Sequence, residues 1–207
     1  MAEAASPRKR PARERLLDTA DRLFYEEGVH AVGIDRVLEE SGVAKGSLYY
    51  NFGGKDDLVR TYLQNRHAKW AARIDAELAA AATAADKILA IFDALAGLFS
   101  QPDFRGCAFI NAAAEAPAGS AEEHATKDFR TWLHGLFAAL VTEAGYRDAG
   151  KLTAQLVILY DGANISAQLD RNPAAAQAAR DAAAGLLNTA AGQAQGPTGT
   201  ATAPHRP

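Results

Sequence analysis

Apolar positions recur with a helical period through nearly the whole chain, and no stretch alternates as a strand would. Leu16, Ala20, Leu23 and Phe24 stand at i, i+4, i+7 and i+8, one face of a helix that Gly28 ends. Ile34, Val37 and Leu38 form one face of a short second helix that stops at Ser41-Gly42. A third short helix is predicted from about Ala44 to Phe52, broken by Gly53-Gly54. Longer helices follow. One starts near Asp56 and runs toward Ala80 through Leu58, Tyr62 and Trp70. The next carries Ile88, Ile91, Phe92, Leu95, Leu98 and Phe99, and stops before Gln101-Pro102-Asp103.

A short helix from about Cys107 to Glu115 comes next. Ser120 and Glu123 have capping-box spacing ahead of the clearest stripe in the chain, Phe129, Trp132, Leu133, Leu136, Phe137, Leu140 and Val141. Gly145 ends it. A further helix presents Leu152, Leu156, Leu159, Tyr160, Ala163 and Ala167. Asn172-Pro173 reads as an N-cap with proline at the first helical position of a last, alanine-rich helix reaching about Ala190. Residues 191–207, rich in glycine, proline, threonine and alanine, are expected to be a disordered tail.

Composition narrows this picture. The 207 residues are 48% hydrophobic and 23% charged, enough apolar material for one or two folded domains. Cys107 is the only cysteine, which excludes an intrachain disulfide and a cysteine-based zinc site. No apolar run approaches membrane-spanning length and nothing resembles a signal peptide, so a cytoplasmic protein without a membrane partner is expected. The net charge of −3 argues against coating nucleic acid through bulk positive charge. Its distribution says more. Up to Arg66 there are 11 Lys/Arg and 11 Asp/Glu, and beyond it 11 against 14. Positive charge gathers at Arg8, Lys9, Arg10, Arg13 and Arg15, the first three in a basic arm spanning 1–12 that could follow a groove or a phosphate strand. The plainer reading of that arm is a solvated tail.

The segment from Leu16 to Lys55 has helix-turn-helix proportions, with Ser41-Gly42-Val43 as the turn. If Leu48 faces inward, Phe52 lies beside it, and Gly46 and Tyr50 point nearly opposite with Ser47 and Tyr49 on the flanks. Gly46 would let the backbone approach a groove closely, while Ser47, Tyr49 and Tyr50 could donate to phosphates or bases. Lys45 could reach a base edge and Lys55 a phosphate. The alternative for the tyrosines is core packing.

These residues carry a resemblance. Residues 15–63, with "LFYEEG" from Leu23 and "SGVAKGSLYYNFGGKDDL" from Ser41 to Leu58, resemble the N-terminal domain of the TetR family of transcriptional regulators. One departure stands out: the hydroxyl pair that usually enters the second helix is Val32-Gly33 here. The resemblance implies an all-α fold, with an N-terminal three-helix helix-turn-helix DNA-binding domain over 13–55. A larger helical ligand-binding and dimerisation domain over 56–190 would follow. It also implies that the equivalents of Lys45, Ser47, Tyr49, Tyr50 and Lys55 touch DNA. The implied partners are a double-stranded, pseudo-palindromic operator, a second copy of the chain and a small-molecule inducer. No cofactor, metal or catalytic residue is implied.

The remainder resembles the family in architecture only. Leu152, Leu156, Leu159, Leu186 and Leu187, on helices with small alanine faces, are the expected dimer contacts. Trp70, Phe109, Trp132 and Tyr160, with the polar Asn111 and Asn164, are expected to line a pocket for a hydrophobic or aromatic ligand. Cys107, after Arg105-Gly106 and at a helix start, joins that set, either as a sensor of oxidants or electrophiles or as a small buried residue. A carrier or enzyme with a vestigial helix-turn-helix is the alternative class. No nucleophile with a neighbouring base and no phosphate-cradling loop supports it.

Overall fold

A computed structural model of the chain describes residues 10–194. Among them every regular element is a helix: α1 (Ala12–Glu27), α2 (Ile34–Ser41), α3 (Lys45–Phe52), α4 (Lys55–Ala80), α5 (Ala84–Phe99), α6 (Ala108–Glu115), α7 (Ala121–Glu143), α8 (Ala149–Leu169) and α9 (Ala175–Ala194). The described residues divide into two compact units, and not at the expected boundary beside Lys55. The first unit takes the chain to Arg73 and then Asp103–Thr131; the second takes Ile74–Pro102 and Trp132 onward. Both boundaries on the first unit's side of a helix fall within α4 and α7. The division differs from the expected one because α6 and the start of α7 bury their apolar side chains in the first unit.

Local chemistry accounts for the helix ends. Gly42, at φ 61°, ends α2 and donates to the carbonyls of Leu38 and Glu39, which releases the chain into the turn. Gly53, at φ 68°, ends α3, and a Cβ there would lie 2.7 Å from Asp57 Oδ2. Thr83 and Asp86 form a full capping box on α5 that the sequence pattern did not draw attention to, because Asp stands where Glu is usual. The expected box at Ser120 is only half formed: Glu123 N–H donates to Ser120 Oγ at 3.2 Å, but the Glu123 carboxylate accepts from Gly119 instead. Asn172 holds a turn by accepting from Ala174 N–H at 3.0 Å, so α9 starts at Ala175 rather than Pro173. It then continues to Ala194, into the stretch expected to be tail.

In the first unit α1 packs on α2 and α3. Leu16, Leu23, Val32, Val37, Leu48, Leu58 and Leu63 are fully buried there. Phe24 meets Tyr62 edge-on at 5.6 Å. Truncating any of these leucines to alanine should cost roughly 2–5 kcal/mol, the range for a cavity in a close-packed core. In the second unit α9 packs against α5 and α8. Phe137 sits 6.1 Å from Phe92 and 6.3 Å from Tyr160. Ion pairs Arg180–Asp93 (2.8 Å) and Lys87–Glu143 (2.8 Å) lie at its rim.

This packing corrects the expected dimer contacts. Leu152, Leu156 and Leu187 are buried within their own unit, so they are core; Leu159 and Leu186 are half-buried. The apolar residues that α8 leaves in solvent are Ile158 (68% exposed), Ile165 (37%) and Leu169 (75%). With Gly162 they stand at i, i+4, i+7 and i+11, a continuous stripe along one face. On α9 the corresponding outward residues, Ala178, Ala182, Gly185 and Thr189, are small.

Candidate nucleic-acid interface

The surface of α3 follows from its length and period. Leu48 and Phe52 are the two buried residues of an eight-residue helix, so the other side must face outward. Tyr50 is 90% exposed and Tyr49 50%. Lys45 and Gly46 are exposed, and Ser47 and Lys55 are half-buried. A Cβ at Gly46 would meet nothing within 4 Å, so the backbone there is bare to any partner. A phenol exposed to this degree gains nothing from its own fold; the hydrophobic effect alone would have buried it. Asn51 Nδ2 donates to the Ser47 carbonyl at 2.7 Å and stiffens the helix without reaching outward.

α2 is preceded by Gly33 as its N-cap, in extended backbone, with no side-chain cap on its first N–H groups. Val32, the other half of the departure from the family pattern, is fully buried: it is a core residue, not a lost contact. Asp35 lies in the first turn of α2 and pairs with Lys45 at 3.7 Å.

Most of the arginines near the N-terminus have structural partners. Arg15 Nη1 donates to the carbonyls of Ser41 at 2.8 Å and Gly42 at 3.2 Å, closing the end of α2. Its guanidinium is therefore engaged in the fold. Arg13 lies over the Phe52 ring at 5.2 Å, and Arg10 pairs with Asp18. Arg8 and Lys9 lie outside the described residues. Across α1 and α2, Arg36 bridges Glu27 (2.5 and 2.7 Å) and Glu40 (2.9 Å), and Arg22 pairs with Glu40 and Glu26. Those two guanidinium groups hold the Glu40 carboxyl below its ordinary range. The network fixes how α1 meets α2, although exposed pairs of this kind add little stability each.

A second cluster in the same unit joins α1 to the segment before α6. The Tyr25 hydroxyl accepts from Arg105 N–H at 2.9 Å and donates to the Gly106 carbonyl at 2.9 Å. The Arg66 guanidinium lies over the Tyr25 ring at 3.9 Å and bonds both carboxylate oxygens of Asp21, at 2.8 and 2.9 Å. Burial raises the Tyr25 phenol above its ordinary pKa, with the Arg105 amide and Arg66 acting the other way. The group thus stays a phenol, able to donate and accept at once. His30 and the buried Glu122, far apart in sequence, pair at 3.7 Å between the α1–α2 loop and α7. Sequence spacing carried no sign of either tie.

The residues expected to line a pocket divide between the units. Four belong to the first. Phe109 is buried and stacks on Phe129 at 3.9 Å, with His67 edge-on to both rings; burial lowers the His67 pKa. Asn111 donates to the Arg105 carbonyl at 3.0 Å, and Cys107 is the half-buried N-cap of α6. Trp70 has a buried indole N–H with no hydrogen-bond partner. Trp132, Tyr160 and Asn164 belong to the second unit, where Asn164, 1% exposed, donates to the Tyr160 carbonyl at 2.9 Å. None of the seven lines the cleft of about 350 Å³ that the second unit opens beside Tyr146, Arg147, Asp148, Lys151, Gln155 and Leu186. No group of three or more potential metal ligands occurs among the described residues, and no described helix is long and apolar enough to cross a membrane.

The chain is similar to known proteins in both its sequence and its fold. A family model described as bacterial regulatory proteins, tetR family, matches residues 16–62, and one described as a tetracyclin repressor-like C-terminal domain matches residues 84–183. An HTH-type transcriptional regulator of Bacillus subtilis, LmrA, is 47% identical over 49 residues, 23% of this chain and 26% of its own length. YxaF, an uncharacterised HTH-type regulator of the same organism, is 50% identical over 49 residues, with the same shares of the two chains. The match thus spans about a quarter of these curated relatives. Among solved structures, a TetR-family transcriptional regulator from Streptomyces coelicolor superposes with a TM-score of 0.80 at 35% identity, over 86% of this chain and 95% of that one. E. coli NemR in its reduced form, at 23% identity and a TM-score of 0.70 over 84% and 97% of the two chains, shares the fold. With both halves of the chain matched, and a relative 35% identical along nearly its whole length, this protein belongs to the TetR family of DNA-binding transcriptional regulators.

Proposed function

We propose that the protein is a homodimeric repressor that reads a pseudo-palindromic operator through α3 and releases it when a small hydrophobic or aromatic ligand binds. The observation that carries the DNA contact is the α3 face: Tyr50 and a bare glycine backbone opposite a fully buried Leu48, with Tyr49 and Ser47 on the flanks and Lys45 exposed at the helix start. Tyr49, Tyr50 and Ser47 contact bases and phosphates, Lys45 a base edge and Lys55 the strand. Arg10, and with it Arg8 and Lys9, adds sequence-independent attraction.

The stripe of Ile158, Gly162, Ile165 and Leu169 on α8, with the small outward face of α9, supports pairing of two copies into a four-helix seam. Pairing would set two recognition helices about 34 Å apart, the spacing of successive major grooves. The unpartnered indole N–H of Trp70 supports the ligand, offering a buried donor of the kind a ligand oxygen takes up. Ligand binding would act through α4, whose residues serve both units, by shifting the population of dimers whose α3 helices match the groove spacing.

Selection of bound sequences from a random DNA pool, followed by gel shift, tests this reading. A two-fold-related half-site should emerge, with binding that weakens as salt rises and in Tyr50→Ala. Recovery of no sequence at any salt, or of an unpaired site bound by one copy, would overturn it.

A further inference from the structure

Three of the four backbone polar groups of Arg105 and Gly106 are engaged by side chains. The Arg105 N–H goes to Tyr25 at 2.9 Å, the Arg105 carbonyl to Asn111 Nδ2 at 3.0 Å, and the Gly106 carbonyl to Tyr25 at 2.9 Å. Gly106 adopts φ 91°, a backbone open to glycine without strain, and its carbonyl is fixed there by Tyr25. The partners lie far away in sequence. Tyr25 is on the last turn of α1, and Asn111 is on α6. Tyr25 itself is clamped from its other face by Arg66 of α4, at 3.9 Å, and Arg66 is tied back to Asp21 one turn earlier on α1. The first turn of α6 has no side-chain cap, so its geometry passes directly into the Arg105–Cys107 backbone.

We propose that Tyr25 is a positioning residue that couples the DNA-binding helices to the start of α6 through this double hydrogen bond. The proposal rests on the repressor reading above and names a route of regulation in it. A tilt of α1 that accompanies operator binding draws on the Arg105–Gly106 backbone. A displacement of α6 likewise works back on α1. By linkage the two effects have the same size.

Cys107, the single cysteine, adjoins this backbone and is half-buried, so its reaction with dithionitrobenzoate reports the state of the segment without any introduced label. The experiment compares that rate in the full chain, free and saturated with the selected operator, for wild type, Tyr25→Phe and Asn111→Ala. In wild type the operator should change the rate by about fivefold or more, the lower end of ordinary coupling between sites. Tyr25→Phe keeps the ring under Arg66 and removes only the hydroxyl; its rate should be the same with and without operator. Asn111→Ala loosens the segment from the α6 side, speeding the reaction while leaving the operator dependence in place. Exchange of the Arg105 amide, measured in wild type alone, should change with operator as well and needs no variant to fold. A wild-type rate indifferent to operator, or an operator dependence of undiminished size in Tyr25→Phe, overturns the coupling while leaving operator binding intact. A chain that selects no DNA overturns the repressor reading and this route with it.

Discussion

The outward face of α3 and the outward face of α8 both expose side chains that folding alone would have buried, yet they differ in kind. On α3 the exposed residues are phenols, a glycine, a serine and a lysine on a helix of eight residues. On α8 they are Ile158, Ile165 and Leu169, spaced around Gly162 along a helix of 21 residues. The first set has little to gain from meeting a copy of itself, because its value lies in donors and in close backbone approach to a polar groove. The second set has no donors to offer nucleic acid, and gains only by excluding water against another apolar surface. On the function proposed above, the first face serves nucleic acid and the second a copy of the chain.

Replacing Ile158 and Ile165 together by glutamate attacks one side of that contrast and should have the largest effect. Two carboxylates from each copy, buried unpaired in the seam, would raise the dimer dissociation constant by at least about a hundredfold, read by sedimentation. Operator binding should fall with it. An unchanged association would mean that the α8 stripe is not the seam.

Tyr50→Ala attacks the other side. Loss of one groove contact should cost about 1–3 kcal/mol, roughly ten- to a hundredfold in operator affinity, with association untouched. A variant that loses association in proportion would erase the distinction between the faces. Asp35→Asn is a subtler probe. It removes a negative charge from the α2 start and frees Lys45, so affinity should rise by a few-fold and the salt dependence steepen. Weaker binding would show Asp35 to be a contact rather than a restraint.

The smallest expected effect concerns His67, between Phe109 and Phe129. Burial lowers its pKa, with Asp128 working against the shift. The unfolded chain therefore takes up the proton first as pH falls. The stability this ring contributes is intact above about pH 6.5 and is lost as pH falls from there toward the folded pKa. Melting temperature followed from pH 8 to 5 should decline less in His67→Asn than in wild type. Parallel curves would show that the ring is not held neutral.

Much of the outward face of α3 was legible in the sequence because it depends on local rules. A 3.6-residue period around Leu48 is enough to turn Tyr50 outward, and Gly42 and Gly53 end their helices through backbone freedom that only glycine has. The arginines were less legible. Arg15 reads as spare positive charge, yet its guanidinium closes α2 through two carbonyls 26 and 27 residues away.

What the sequence by itself determined is therefore the all-helical architecture, the ends of most helices, the helix-turn-helix and its outward face, since each follows from residues within a few turns of one another. Only the tertiary structure decided which apolar side of α8 is core. Leu152 and Leu156 on one side and Ile158 and Ile165 on the other are equally apolar, and a helix apolar on both sides has no periodicity to choose between them. It also decided that α6 and the start of α7 belong with the DNA-binding helices, and that Tyr25 holds Arg105 and Gly106 across some eighty residues. Hydrogen bonds at that separation depend on how helices come together, which no local pattern encodes.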